Sequence, residues 1–248
     1  MANWNEPRPT GTGFGAAQGG AQGGVAAVYD AGLRRHMLSI YNYMTSGVLL
    51  SGIVALLFAN SGMAAQVFVN GGPLAWIIIL SPLAIVMAMS FGQSKFSTGT
   101  LQILFWGFAV LMGLSLSTIF LVYTGASIAV TFFATAGAFA GLSLFGYTTQ
   151  KNLSGMGTFL IMGVVGLVIA SLLNMWLQSP GLMWAISFLG VLIFAGLTAY
   201  DTQMLKRQYD YVRGTEFAGK AIIMGALTLY LDFINMFQFL LSFLGQRD

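Results

Sequence analysis

Residues 221–244 read AIIMGALTLYLDFINMFQFLLSFL, an apolar run broken near its middle by one acid, Asp232. A helix rising about 1.5 Å per residue over this length crosses the roughly 30 Å hydrocarbon core of a bilayer. The run lacks the apolar–polar alternation of a barrel strand, and a helix satisfies its own backbone hydrogen bonds without water. It predicts a transmembrane helix with a carboxyl group inside it.

Six more runs of this kind lie upstream, near 42–59, 73–91, 103–123, 126–146, 158–177 and 182–200. The 248-residue chain is 57% hydrophobic and 7% charged, with a mean hydropathy of +0.80. Such a chain cannot hide its apolar surface in a water-soluble core, so its partner is the lipid bilayer. The fold class is an all-α membrane protein with seven transmembrane helices. Residues 36–246 read as one transmembrane domain. Residues 1–35 read as a disordered cytoplasmic tail, because Pro7 to Gly24 are rich in Gly, Ala and Gln and offer little to bury. The first 28 residues lack the apolar region of a cleavable signal.

Lys and Arg collect in loops that stay in the cytoplasm. Arg8, Arg34 and Arg35 precede the first span; Lys95, Lys151 and the group Lys206, Arg207, Arg213 and Lys220 follow the second, fourth and sixth. Only Arg247 falls on the opposite side. The expected topology has a cytoplasmic N-terminus and a C-terminus outside. The net charge of +3 is therefore topological, and no basic patch with interleaved aromatics suggests nucleic acid. With no cysteine, thiol and disulfide chemistry is excluded, and a metal would be held by oxygen. His36, the one histidine, has no nucleophile beside it and reads as a juxtamembrane residue.

Trp76, Trp176 and Trp184 near outer span ends and Trp106 near an inner end suit the membrane interface. Gly137 and Gly141 permit close helix approach, within the bundle or between copies. Pro82 removes a backbone donor in the second span and predicts a kink.

A second acid, Asp201, ends the sixth apolar run. Residues 206–213 look helical, Gly214 suits a helix C-cap and Thr215 the next N-cap, which makes an antiparallel hairpin of the last two spans. Asp201 and Asp232 then lie within roughly one turn of the same height. Carboxylates in hydrocarbon are expensive, so the pair is the candidate functional site. An ion pair of Asp201 with Lys206 or Arg207 is the structural alternative. Gly225, Thr228, Asp232, Asn235 and Ser242 share a helical face, making Asn235 and Thr228 candidate hydrogen-bonding supports for the aspartates. Two such carboxyls cannot both ionise cheaply and titrate as a coupled unit. The pair is suited to exchange protons with Ca²⁺, to relay protons, or to activate water.

The runs Leu229-Tyr230-Leu231-Asp232-Phe233-Ile234-Asn235 and Ala199-Tyr200-Asp201-Thr202-Gln203 closely resemble signatures of the Bax-inhibitor family, also called the transmembrane Bax-inhibitor-motif or lifeguard family. The resemblance extends over roughly residues 30–245 and is of bacterial type. It implies six helices around a central, C-terminal seventh, no enzymatic cofactor, and a pH-sensitive Ca²⁺ leak. Asp201 and Asp232 would be the paired aspartates whose shared proton latches the pore, and they would be the Ca²⁺ contacts. It also implies an alternative, a non-conducting modulator of a membrane-anchored AAA protease or of stress responses, and residence in a bacterial inner membrane. Some relatives carry an arginine near the inner end of span two; here Gln93, Ser94 and Lys95 occupy that region.

Paired intramembrane aspartates also occur in presenilin-like proteases, which Tyr200-Asp201 resembles. Their Gly-x-Gly-Asp motif is replaced by Tyr230-Leu231-Asp232 and their Pro-Ala-Leu element is absent, so the expectation is a protein that is not an enzyme.

Overall fold

The computed structural model describes residues 16–247, with side chains from residue 30 onward. The described residues form helices α1 (Ala16–Asn60), α2 (Met63–Val69), α3 (Pro73–Gly92), α4 (Thr98–Leu116), α5 (Gly125–Thr148), α6 (Ser154–Leu177), α7 (Pro180–Val212) and α8 (Phe217–Leu244). Among them seven segments are long and apolar enough to cross a membrane, and there is no β-strand. An isolated antiparallel bridge joins Tyr123 to Arg247. The short α2 lies in the connection after the first span.

The beginning of the chain differs from expectation. Residues 16–35 of the expected tail are helical, continuing α1 outward, while residues 1–15 lie outside the described residues. Alanine and glutamine propagate a helix readily once a buried segment has nucleated it. Tight packing begins before residue 36, since Leu33 is already buried.

α8 is the central helix. In its apolar stretch 56% of residues are buried, against 17–39% in the other spans. α1, α4, α5 and α7 pack along it, while α3 packs on α4 and α6 on α7 at the periphery. Close approach between α1 and α4 depends on Gly113, where a β-carbon would lie 2.6 Å from the Ser51 carbonyl oxygen. There the Ser51 hydroxyl sits 2.6 Å from the Ala109 carbonyl oxygen and 2.6 Å from the Tyr230 hydroxyl, tying α1, α4 and α8 together in the apolar core.

Gly137 and Gly141 do not serve packing inside the bundle, because nothing lies within 4 Å of where their β-carbons would be. Pro82 is buried within α3 without ending it. It withholds a backbone donor from the carbonyl of Ile78, and the Ser81 hydroxyl donates to that oxygen at 3.1 Å instead. Trp76, Trp176 and Trp184 are exposed, as anchors in an interface require.

Candidate functional site: a buried aspartate pair

α7 runs on past its apolar part to Val212, and the chain reverses at Gly214, whose φ of 73° is the left-handed conformation glycine adopts freely. α8 begins at Phe217 with Glu216, rather than Thr215, as its N-cap. Thr215 still helps the turn: its hydroxyl donates to the Val212 carbonyl at 2.7 Å and accepts from the Phe217 amide at 3.2 Å.

The hairpin brings the two acids together. Asp201 is 8% exposed and Asp232 4%, and their carboxyl groups lie within hydrogen-bonding reach of each other. Side chains tilt toward the N-terminus of their own helix. In an antiparallel pair the Asp201 side chain therefore leans away from the Gly214 turn and that of Asp232 leans toward it. The leanings converge and close the difference of about one turn between the two positions. A hydrogen bond between two carboxyls needs a proton on one of them. Asp232 Oδ2 is buried without any hydrogen-bond partner, so the site has unused acceptor capacity.

No cation compensates the pair among the described residues. Lys206 Nζ donates to the Tyr147 carbonyl at 2.8 Å. Arg207 donates to Asn152 Oδ1 and Ser154 Oγ at 2.9 Å, and to Gln203 Oε1 at 2.7 Å. These bonds, with Gln203 Nε2 donating to the Lys151 carbonyl at 2.8 Å, clamp the α5–α6 connection onto α7. The ion-pair alternative for Asp201 is thus not what the structure contains. Lys95 is exposed and pairs with neither aspartate.

The supporting roles expected of Thr228 and Asn235 are also different. The Thr228 hydroxyl donates to the Met224 carbonyl at 3.1 Å and Asn235 Nδ2 to that of Leu231 at 2.8 Å, each within α8. Short polar side chains satisfy themselves on the preceding helical turn where the neighbouring helix offers no better acceptor. The expected polar stripe is only partly interior: Thr228 and Asn235 are half-buried, while Leu229, Phe233 and Phe237 are buried. Beside Asp201, buried Thr202 donates to Ser143 Oγ of α5 at 3.4 Å, and Gly146 of α5 approaches so closely that a β-carbon would collide with the Ala199 carbonyl.

Sequence reading missed several residues around the site. His36, near the start of the first span, is buried; its ring lies 5.3 Å from that of Tyr209, and its Nε2 has no hydrogen-bond partner. Leu205, one turn from Asp201 toward the Gly214 end, packs with Ile40 over Gly225, two turns from Asp232 on the same side. Leu205 and Ile40 are buried, so an apolar layer separates the aspartates from the end of the bundle where the basic loops gather. The four- and seven-residue spacings carried that signal.

A family model described as "Inhibitor of apoptosis-promoting Bax1" matches residues 33–248. The inner membrane protein YbhL of Escherichia coli strain K12 is 47% identical over 219 residues, covering 88% of this chain and 94% of that protein. An uncharacterized protein of Caulobacter vibrioides is 48% identical over 228 residues, covering 87% and 90%. The membrane protein SpyM3_0260 of Streptococcus pyogenes is 34% identical over 221 residues, covering 88% and 96%. With six other spans arranged about a central helix that carries the second of two paired aspartates, this chain is a multi-pass membrane protein and belongs to the Bax-inhibitor family.

Proposed function

We propose that this protein is a proton-gated leak for Ca²⁺, with Asp201 and Asp232 as its latch. The supporting observation is the pairing of two buried carboxyls, within hydrogen-bonding reach on facing helices, without a neighbouring cation. With one shared proton the pair holds α7 to α8. Without it, two like charges face each other in a medium of low dielectric, where their repulsion is strong. The helices then gain by separating and admitting water.

The same oxygens suit a hard cation in passage. Ca²⁺ takes about six to eight oxygen ligands. Among the described residues no group of three or more acidic or imidazole side chains is gathered to retain it. Two carboxylates supplemented by water and carbonyls would bind it transiently, as conduction requires. Ile40 and Leu205 act as the seal between the pair and the basic end. The loop charges support a cytoplasmic N-terminus, and the name of the Escherichia coli relative supports an inner membrane.

The test is Ca²⁺ entry into proteoliposomes between about pH 5 and pH 8, a range in which physiological proton switches operate. Flux should rise with pH as the shared proton leaves, and Asp201→Asn and Asp232→Asn should flatten the profile, since an amide donates to the remaining carboxylate at any pH. Flux no greater than that of empty liposomes would overturn conduction and favour a role through contact with a membrane protein, such as a protease.

A further inference from the structure

A second recess lies apart from the aspartate pair. α1 packs along α4 and α8 and α5 along α7 and α8, and where α1 and α5 diverge a groove of about 650 Å³ opens. This is the size of a small-molecule site. Met44 and Val48 of α1 face Phe132 and Ala136 of α5 across it, and Phe233 of α8 forms its floor. Its rims are open to lipid, with Leu49 52% and Leu144 64% exposed.

One end of the groove is polar. Arg34 and Tyr147 line it there, at the end of the bundle that carries the basic loops. Lys206 Nζ lies 4.8 Å from the centre of the Tyr147 ring. Neither Arg34 nor Lys206 has a carboxylate partner among the described residues. From Arg34 to Leu49 the helical rise gives an apolar wall of about 22 Å, longer than the roughly 15 Å depth of one leaflet. Uncompensated cations at one end of a lipid-facing apolar channel match a molecule with an anionic head and a hydrocarbon tail. Arg is suited to a phosphate because its guanidinium donates two parallel hydrogen bonds.

We propose that the groove between α1 and α5 binds one anionic phospholipid from the leaflet at the basic end, with an acyl chain against Phe132, Ala136 and Phe233 and the phosphate at Arg34 and Lys206. This proposal is independent of ion conduction. The bound tail would touch Phe233, next to Asp232, and so fill space beside the helix that carries the site.

The full chain, reconstituted in phosphatidylcholine vesicles, is irradiated with a trace of phosphatidylglycerol bearing a photoreactive acyl chain, or with the matching phosphatidylcholine. Adducts are mapped by mass spectrometry. Phosphatidylglycerol adducts should concentrate on residues 37–49 and 132–144 over lipid-facing Phe159 and Leu172 of α6, whereas phosphatidylcholine adducts should not. Arg34→Gln should weaken the groove labelling by phosphatidylglycerol about tenfold, equivalent to ~1.4 kcal/mol, and leave α6 labelling unchanged. Ala136→Trp should block it. Equal labelling of groove and α6, equal labelling by the two lipids, or cross-links at the groove to a second copy of the chain would overturn the proposal. The wild-type comparison decides the matter even if Ala136→Trp fails to fold.

Discussion

Leu205 of α7 closes over Gly225 of α8 so nearly that a β-carbon at 225 would lie 2.8 Å from its Cδ2. With Ile40 at 3.2 Å from the same point, two buried apolar side chains meet between the aspartates and the basic end. In the proposed mechanism the latch and the seal are separate parts, one titratable and the other apolar.

Leu205→Ala removes part of the seal without touching a carboxyl. Under the proposed gating it should raise Ca²⁺ flux at acid pH while flux still depends on pH. Truncating a buried leucine also costs about 2–5 kcal/mol, so the variant should unfold at lower temperature. Unaltered acid flux in a folded variant would show that the layer is not the barrier.

Thr228→Val and Asn235→Leu should leave the pH profile of flux in place, because both side chains bond their own helix rather than Asp232. A shift in the midpoint of that profile would restore the supporting role that helical spacing suggested.

That contrast shows what the sequence could disclose. The seven spans were legible because twenty apolar residues in a row have few other uses, and the aspartates because a carboxyl inside such a run is costly. The hairpin was legible from Gly214. Thr228 and Asn235 were misassigned because a helical face says which residues share a side, not which of several neighbours, or which carbonyl of the same helix, receives the bond. The burial of His36 was not legible because it depends on Tyr209 of α7, and no local pattern encodes that contact.

Ser51 and Tyr230 allow an asymmetric test. Tyr230→Phe leaves Ser51 with the Ala109 carbonyl and should cost about 1 kcal/mol. Ser51→Ala strands the Tyr230 hydroxyl in the core and should cost more, about 1–3 kcal/mol. Thermal unfolding in detergent checks the order. A larger loss for Tyr230→Phe would contradict it.

Among the glycines, Gly146→Ala should destabilise by about 1–3 kcal/mol, because the added methyl meets the Ala199 carbonyl and pushes α5 from α7. Gly137→Ala and Gly141→Ala point into open space and should stabilise α5 by up to about 1 kcal/mol each. Loss of stability at Gly137 would mean that another helix occupies that face.

A shared proton on Asp201 and Asp232, as the proposed latch requires, would be seen by infrared difference spectroscopy recorded while the reconstituted protein is taken from acid to alkaline pH. One protonated-carboxyl band should disappear over the same pH range in which Ca²⁺ flux rises, vanish or shift in both Asp201→Asn and Asp232→Asn, and stay unchanged in Thr228→Val. A band that ignores both aspartate substitutions, or flux that changes with no carboxyl titrating, would contradict the latch.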